Sequence, residues 1–352
     1  MRFAPVFALA LGLANASLAS SDEPKPRSAD QILDEGVRLY DAGDFEGALK
    51  NDREALALKP GDPTITYEMG LSLQALKRYA ECAKLAEPMI AKVDQLKRDF
   101  YVLAASCVDY AGNPKRASSI FETALREFPD DPELHFNAGL TRIANKEPLL
   151  AKELLKDSVL LRPTHPASHL YLAMAFEQSG FTVPAILAYV RFLTLAPADS
   201  RAPAAALAIG RLLGLGVEKA AGTSTSIHFD PTASTDEGDY RNADLLRAMA
   251  AASSSADESR DKNDVDKYIE KLDALVGFLG EEAPVGKPDF ARTNLLPVAR
   301  DLRLKGILEA FAYRSLWPVN QELTKPWLDA HPEKIVALDA FVESVGGVPV
   351  SK

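Results

Sequence analysis

Residues 132–165 read PELHFNAGLTRIANKEPLLAKELLKDSVLLRPTH, and residues 166–199 read PASHLYLAMAFEQSGFTVPAILAYVRFLTLAPAD. The two stretches have equal length and equal punctuation. Each opens on proline and places a small residue at its eighth position (Gly139, Ala173) and another at its twentieth (Ala151, Ala185). A large residue follows four positions later (Leu155, Tyr189), and a proline closes the unit (Pro163, Pro197). Apolar residues recur at helical spacing in both halves, and Gln178-Ser179-Gly180 sits between the halves of the second stretch, with Gly where positive φ ends a helix. Each stretch therefore predicts two antiparallel helices and a tight turn.

The pattern extends toward the N-terminus. Counting back from Gly139 and Ala173, small residues stand at Gly36, Gly70 and Ala105, with spacings of 34, 35, 34 and 34 along the series. Five units follow: 29–62, 63–97, 98–131, 132–165 and 166–199. Their second small residues are Ala48, Cys82, Ala117, Ala151 and Ala185, which lets paired helix backbones approach closely. Phe121 supplies the large residue in the third unit, whereas Asp52 and Ala86 stand there in the first two, making those units the weaker matches. Pro60 and Pro129 close the first and third units, Asp94 takes that place in the second, and Pro88 interrupts the second unit's later helix.

A period of 34 with this punctuation resembles the tetratricopeptide repeat. The resemblance implies an all-α fold, an α–α superhelix, with a small C-terminal helical domain beyond it. It also implies partner binding, because the first helix of each unit lines the concave side. The groove positions that follow are Tyr40 and Asp41, Tyr67 and Leu71, Val102 and Asp109, Phe136, Leu140 and Ile143, and Leu170, Met174 and Glu177. Across all 25 inner positions there are six carboxylates and no Lys or Arg, which argues against the basic clamp that relatives use for a C-terminal carboxylate. The partner expected is a peptide or protein segment, apolar and with some basic character. The competing reading is that the chain's own C-terminal region packs into the arc.

A net charge of −10 over 352 residues disfavours generic nucleic-acid binding. Arg2, the 11-residue apolar run 3–13 and small residues offering cleavage after Ala16 or Ala19 predict a signal peptide over 1–19, with a polar tether over 20–28. That run is too short to span a bilayer. The mature protein is expected to be soluble and exported, to a periplasm, with no transmembrane anchor. In such a compartment an even cysteine count favours a disulfide, and Cys82 and Cys107, on neighbouring helices, could meet; two buried free thiols are the equally open reading.

Beyond the repeats, 200–220 reads as a capping helix, 221–240 as a long loop and 241–352 as a helical domain without strands. Helices are expected over 242–252, 264–279, 291–317 and 332–345, with Trp317 and Trp327 serving either a core or a contact patch. No nucleophile elbow, zinc-protease helix or phosphate loop is present, so no catalytic, cofactor or metal site is assigned. His165 and His169 are four apart, but Pro166 starts a helix between them, so no chelate is expected. The leading expectation is a non-catalytic adaptor. The alternatives are an enzyme with its site in 241–352 and a homo-oligomerising structural protein.

Overall fold

The computed structural model describes residues 26–219, 225–254, 262–282 and 289–349; the expected signal peptide lies outside them. The chain divides into two compact units, Met1–Leu76 and Lys77–Lys352. The division falls inside the second repeat.

The first unit holds α1 (Ala29–Asp41), α2 (Phe45–Leu58) and α3 (Pro63–Ala75). Ser28 and Gln31 form a reciprocal capping box on α1, and Asp44 and Asp62 cap the next two helices. Gly36 meets α2 so closely that a Cβ there would lie 2.9 Å from Asp52 Oδ1. Asp52 occupies the place of the missing large residue: it is 1% exposed and accepts a 2.8 Å hydrogen bond from Ser72 Oγ. Burial raises its pKa, with the Ser72 bond opposing.

The second unit continues the repeats with α4 (Tyr79–Ala86), α5 (Lys97–Tyr110), α6 (Pro114–Glu127), α7 (Pro132–Ala144), α8 (Pro148–Leu161), α9 (Pro166–Gln178) and α10 (Thr182–Leu195). Pro88 ends α4 early, and Glu87–Met89 turns as a short 3-10 segment. Cys82 on α4 and Cys107 on α5 form a disulfide, with Cα atoms 5.9 Å apart. The small-to-large contact seen in the sequence is literal in the fourth repeat, where a Cβ on Gly139 would lie 2.7 Å from Leu155 Cγ.

Every residue of α10 is buried. It has repeats on one side, through α9, and on the other α11 (Ala202–Leu213), α12 (Arg241–Ser253), α14 (Phe290–Asn294) and α15 (Leu296–Leu304). One continuous apolar core runs from Ala151 through α10 to Val342, so the helices after the repeats share the repeats' core and do not form the separate domain expected over 241–352. Arg191 on α10 donates to the Val345 carbonyl at 3.0 Å, and the Val348 amide donates to Leu195 O at 3.0 Å, tying the chain's end to the same helix.

Five further expectations are corrected. The capping helix stops at Leu213, because Gly216 adopts φ +79° with His228 O where a Cβ would sit. Val217–Lys219 (β1), within the stretch expected as capping helix, then pairs antiparallel with Thr225–Ile227 (β2) of the expected loop. The helix expected over 291–317 is three: α14, α15 and α16 (Leu308–Leu316), broken at Leu295, ahead of Pro297, and at Gly306 with φ +67°. Gln321–Ala330 (α17) is helical despite Pro326, and Pro332–Ser344 (α18) follows it. Finally, Asp264–Glu281 (α13) runs past Gly280, with Asn263 as its cap. Trp327 stacks between Tyr313 and His331, at 4.3 Å from each, whereas Trp317 stays 40% exposed.

Candidate functional site

The first helices of repeats three to five, α5, α7 and α9, pack in order, α5 on α7 and α7 on α9. Their starts are set by local chemistry. Asp131 accepts from the Glu133 and Leu134 amides to cap α7, with Pro132 in the first turn. His135 and His169 repeat one device 34 residues apart, each placing Nε2 on the carbonyl of the preceding unit's proline: Pro129 O at 2.7 Å and Pro163 O at 2.8 Å. Burial pushes the His169 pKa down to about 4, although the Pro163 carbonyl works the other way. His165, the N-cap residue of α9, shares a 2.7 Å hydrogen bond between its Nδ1 and Ser168 Oγ. The described residues contain no cluster of three or more metal-ligating side chains.

On this face Val102, Phe136, Leu140, Ile143 and Met174 are half-buried, each with part of its side chain open. Leu170 is different. At 5% exposure it belongs to the core and cannot serve as a contact, a correction to its place among the groove positions. Phe136 is held edge-on by His165 at 5.0 Å and by Tyr171 at 5.8 Å. Beside it lies a cavity of about 260 Å³ lined by Pro132, Glu133, Phe136, Asn137, Arg162 and His165. Tyr110, 64% exposed, packs against Tyr79 with ring centroids 5.0 Å apart. In the first unit Tyr40 meets Phe45 at 5.1 Å, Tyr67 and Leu71 are half-buried, and Asp41 is exposed.

Folding pairs part of the acidic row with cations. Arg98, one residue before the counted positions of the third repeat, bonds Asp99 at 2.9 Å, Asp131 at 2.8 Å and Glu133 at 2.5 Å. Burial acts to raise Asp131, and Arg98 with two backbone amides outweighs it, leaving that carboxyl below its usual range. Glu177 accepts from Tyr189 Oη at 2.9 Å and pairs with Arg211 of α11 at 2.7 Å. Lys59 reaches Asp30 at 2.5 Å in the first unit. Burial raises Asp109 above the ordinary carboxylate range, while a hydrogen bond from Thr141 opposes. The cations come from helix ends, a second helix and α11, positions that a count of inner residues omits. The one sequence signal available for them is Arg98 itself, adjacent to Asp99.

What holds α8 to the segment before α12 is a buried ion cluster. Lys152 pairs with Glu237, whose side chain is 3% exposed, and Lys156 reaches the same carboxylate at 3.0 Å. Lys152 also lies 5.2 Å over the Phe181 ring. Nothing in the sequence links residues 85 apart.

Helix pairs on a 34-residue period, with small residues at their crossings, make this a tetratricopeptide-type helical-repeat protein, all-α but for one short hairpin among the described residues. No family model and no curated protein matches the chain. Among solved structures it is similar to TTC0263, a thermophilic TPR protein of Thermus thermophilus, at 23% identity over 52% of this chain and 99% of that one, with a TM-score of 0.45. It is also similar to PilF of Pseudomonas aeruginosa, at 19% identity over 52% and 82% of the two chains, TM-score 0.46. MamA of Desulfovibrio magneticus RS-1 is similar at 18% identity over 47% and 93%, TM-score 0.42. The helix pairs of this chain carry the fold assignment by themselves.

Proposed function

We propose that the protein is a non-catalytic scaffold that holds an apolar peptide or protein segment on the first-helix face of repeats three to five. In this reading residues 1–19 direct export, 20–28 tether the repeats, and the scaffold serves an envelope assembly. The observation that carries it is the row Val102, Phe136, Leu140, Ile143 and Met174, apolar, half-open and contributed by three successive helices. Such a row is read by a segment whose anchors are apolar, and the internal pairing of Asp99, Glu133 and Glu177 weakens the case for a basic partner. The helices after the repeats pack on α10 and α11, which supports a first-helix face kept for another molecule.

The test is a double variant, Phe136→Ser with Met174→Ser, in the exported full chain. Partners that co-purify with the wild type are expected to be lost while the helical spectrum is unchanged. A retained partner set in a folded variant refutes the reading. No described helix is long and apolar enough to cross a membrane.

A further inference from the structure

A large apolar cavity of the second unit lies away from the repeat face. It measures about 740 Å³, within the range that holds small organic ligands. The 196–201 turn, the start of α11, the end of α16, α17 and α18 enclose it, with Trp317, Pro197, Pro203, Pro318, Leu328 and Ile335 as its apolar walls. Trp317 is 40% exposed there, an aromatic face that no described neighbour covers completely.

Its charged side chains are paired, and Arg314 Nη1 and Asp339 Oδ1 are the buried lining atoms left without a hydrogen-bond partner among the described residues. Asp199 is paired with Arg201, Arg314 with Asp339 and Lys325 with Asp329, each at 2.6 Å. The walls therefore offer a ligand no uncompensated charge. Helix starts normally present free amides, which would favour an anion. Here Pro203 and Pro332 have no N–H, the Ala202 amide is bonded to Asp199 O, and the Lys334 and Ile335 amides are bonded to His331 O. A peptide backbone or a carboxylate would lose its water in this cavity and find few partners, whereas a hydrocarbon loses nothing.

We infer that this cavity is a binding site for an uncharged amphiphile, its hydrocarbon chain against Trp317 and the prolines and its polar end at the mouth. The site is separate from the proposed partner face and does not depend on it.

The test is titration of the full chain with N-phenyl-1-naphthylamine, an uncharged probe that brightens in apolar surroundings. Saturable one-to-one binding, displaced by dodecanol, is expected. Ser200→Trp, which fills the cavity from an exposed position, and Trp317→Ala, which strips a wall, should each weaken binding by about tenfold or more. Circular dichroism checks that each variant is folded, and Trp317→Ala stands alone if Ser200→Trp is not. Absence of saturable binding, wild-type affinity in the folded variants, or displacement by a proline-rich peptide and not by dodecanol overturns the inference.

Discussion

Gly139 and Leu155 allow the repeat's packing logic to be tested by a change of sign. An alanine at 139 places its Cβ 2.7 Å from Leu155 Cγ, and Leu155 is fully buried, so the branch point of a confined side chain must move. Overpacking of this kind costs about 1–3 kcal/mol. Replacing glycine by alanine in a helix interior returns about 1 kcal/mol. The net expectation for Gly139→Ala is a loss of about 1 kcal/mol. Leu155→Ala alone removes the large residue and costs about 2–5 kcal/mol through the cavity it leaves. In that background the clash is gone, so Gly139→Ala should stabilise by about 1 kcal/mol, a coupling of about 2 kcal/mol between the sites. Urea unfolding followed by circular dichroism at the helical minimum measures all four corners of the cycle. If Gly139→Ala has the same effect with and without Leu155, the small residue is not there to admit the large one, and the reasoning fails.

Opening the Cys82–Cys107 bond, which closes a separation of 25 residues, should lower stability by about 3–4 kcal/mol; melting with and without reductant checks this, and the Cys82→Ala/Cys107→Ala protein should show no reductant effect. Glu237→Ala leaves Lys152 buried with only the exposed Glu153 beside it and should cost about 3 kcal/mol, most of it recovered by Lys152→Met/Glu237→Leu, as read by thermal melts. His169 has a folded pKa of about 4, below its unfolded value, so the unfolded chain takes up the proton first as pH falls and stability is lost on going from pH 6.5 toward 4. Between pH 7 and 4.5 the wild type should lose about 2.5 kcal/mol more than His169→Gln in urea midpoints, and parallel pH curves for the two proteins would contradict the assignment.

The repeats were legible because their signal is covalent and periodic: Gly36, Gly70, Ala105, Gly139 and Ala173 mark helix crossings that depend on side-chain size alone. Pro88 was legible for a local reason, whereas the two cysteines, on different repeats, left a disulfide and a pair of buried thiols both open. The C-terminal region was harder, since its helices are short and end on features that a periodicity scan smooths over. Gly306 breaks 291–317 by its positive φ, and α17 tolerates Pro326 in its interior, so proline there misleads. The hairpin of β1 and β2 has only three residues per strand, too few for alternation to show. The candidate face was half-legible. Its apolar positions follow from the repeat register, but Arg98, Arg211 and Lys59 pair with several of its acids from outside that register. Leu170 was misjudged because the core that buries it runs on into segments remote in sequence.

The most direct test of the central claim is site-specific photo-cross-linking in the native host, with p-benzoylphenylalanine at Ile143 on the proposed face or at Leu160, which is 54% exposed on α8. The account predicts a discrete adduct from position 143 that is absent from position 160. An adduct from 160 alone, or none from 143 in a folded and exported protein, would contradict it.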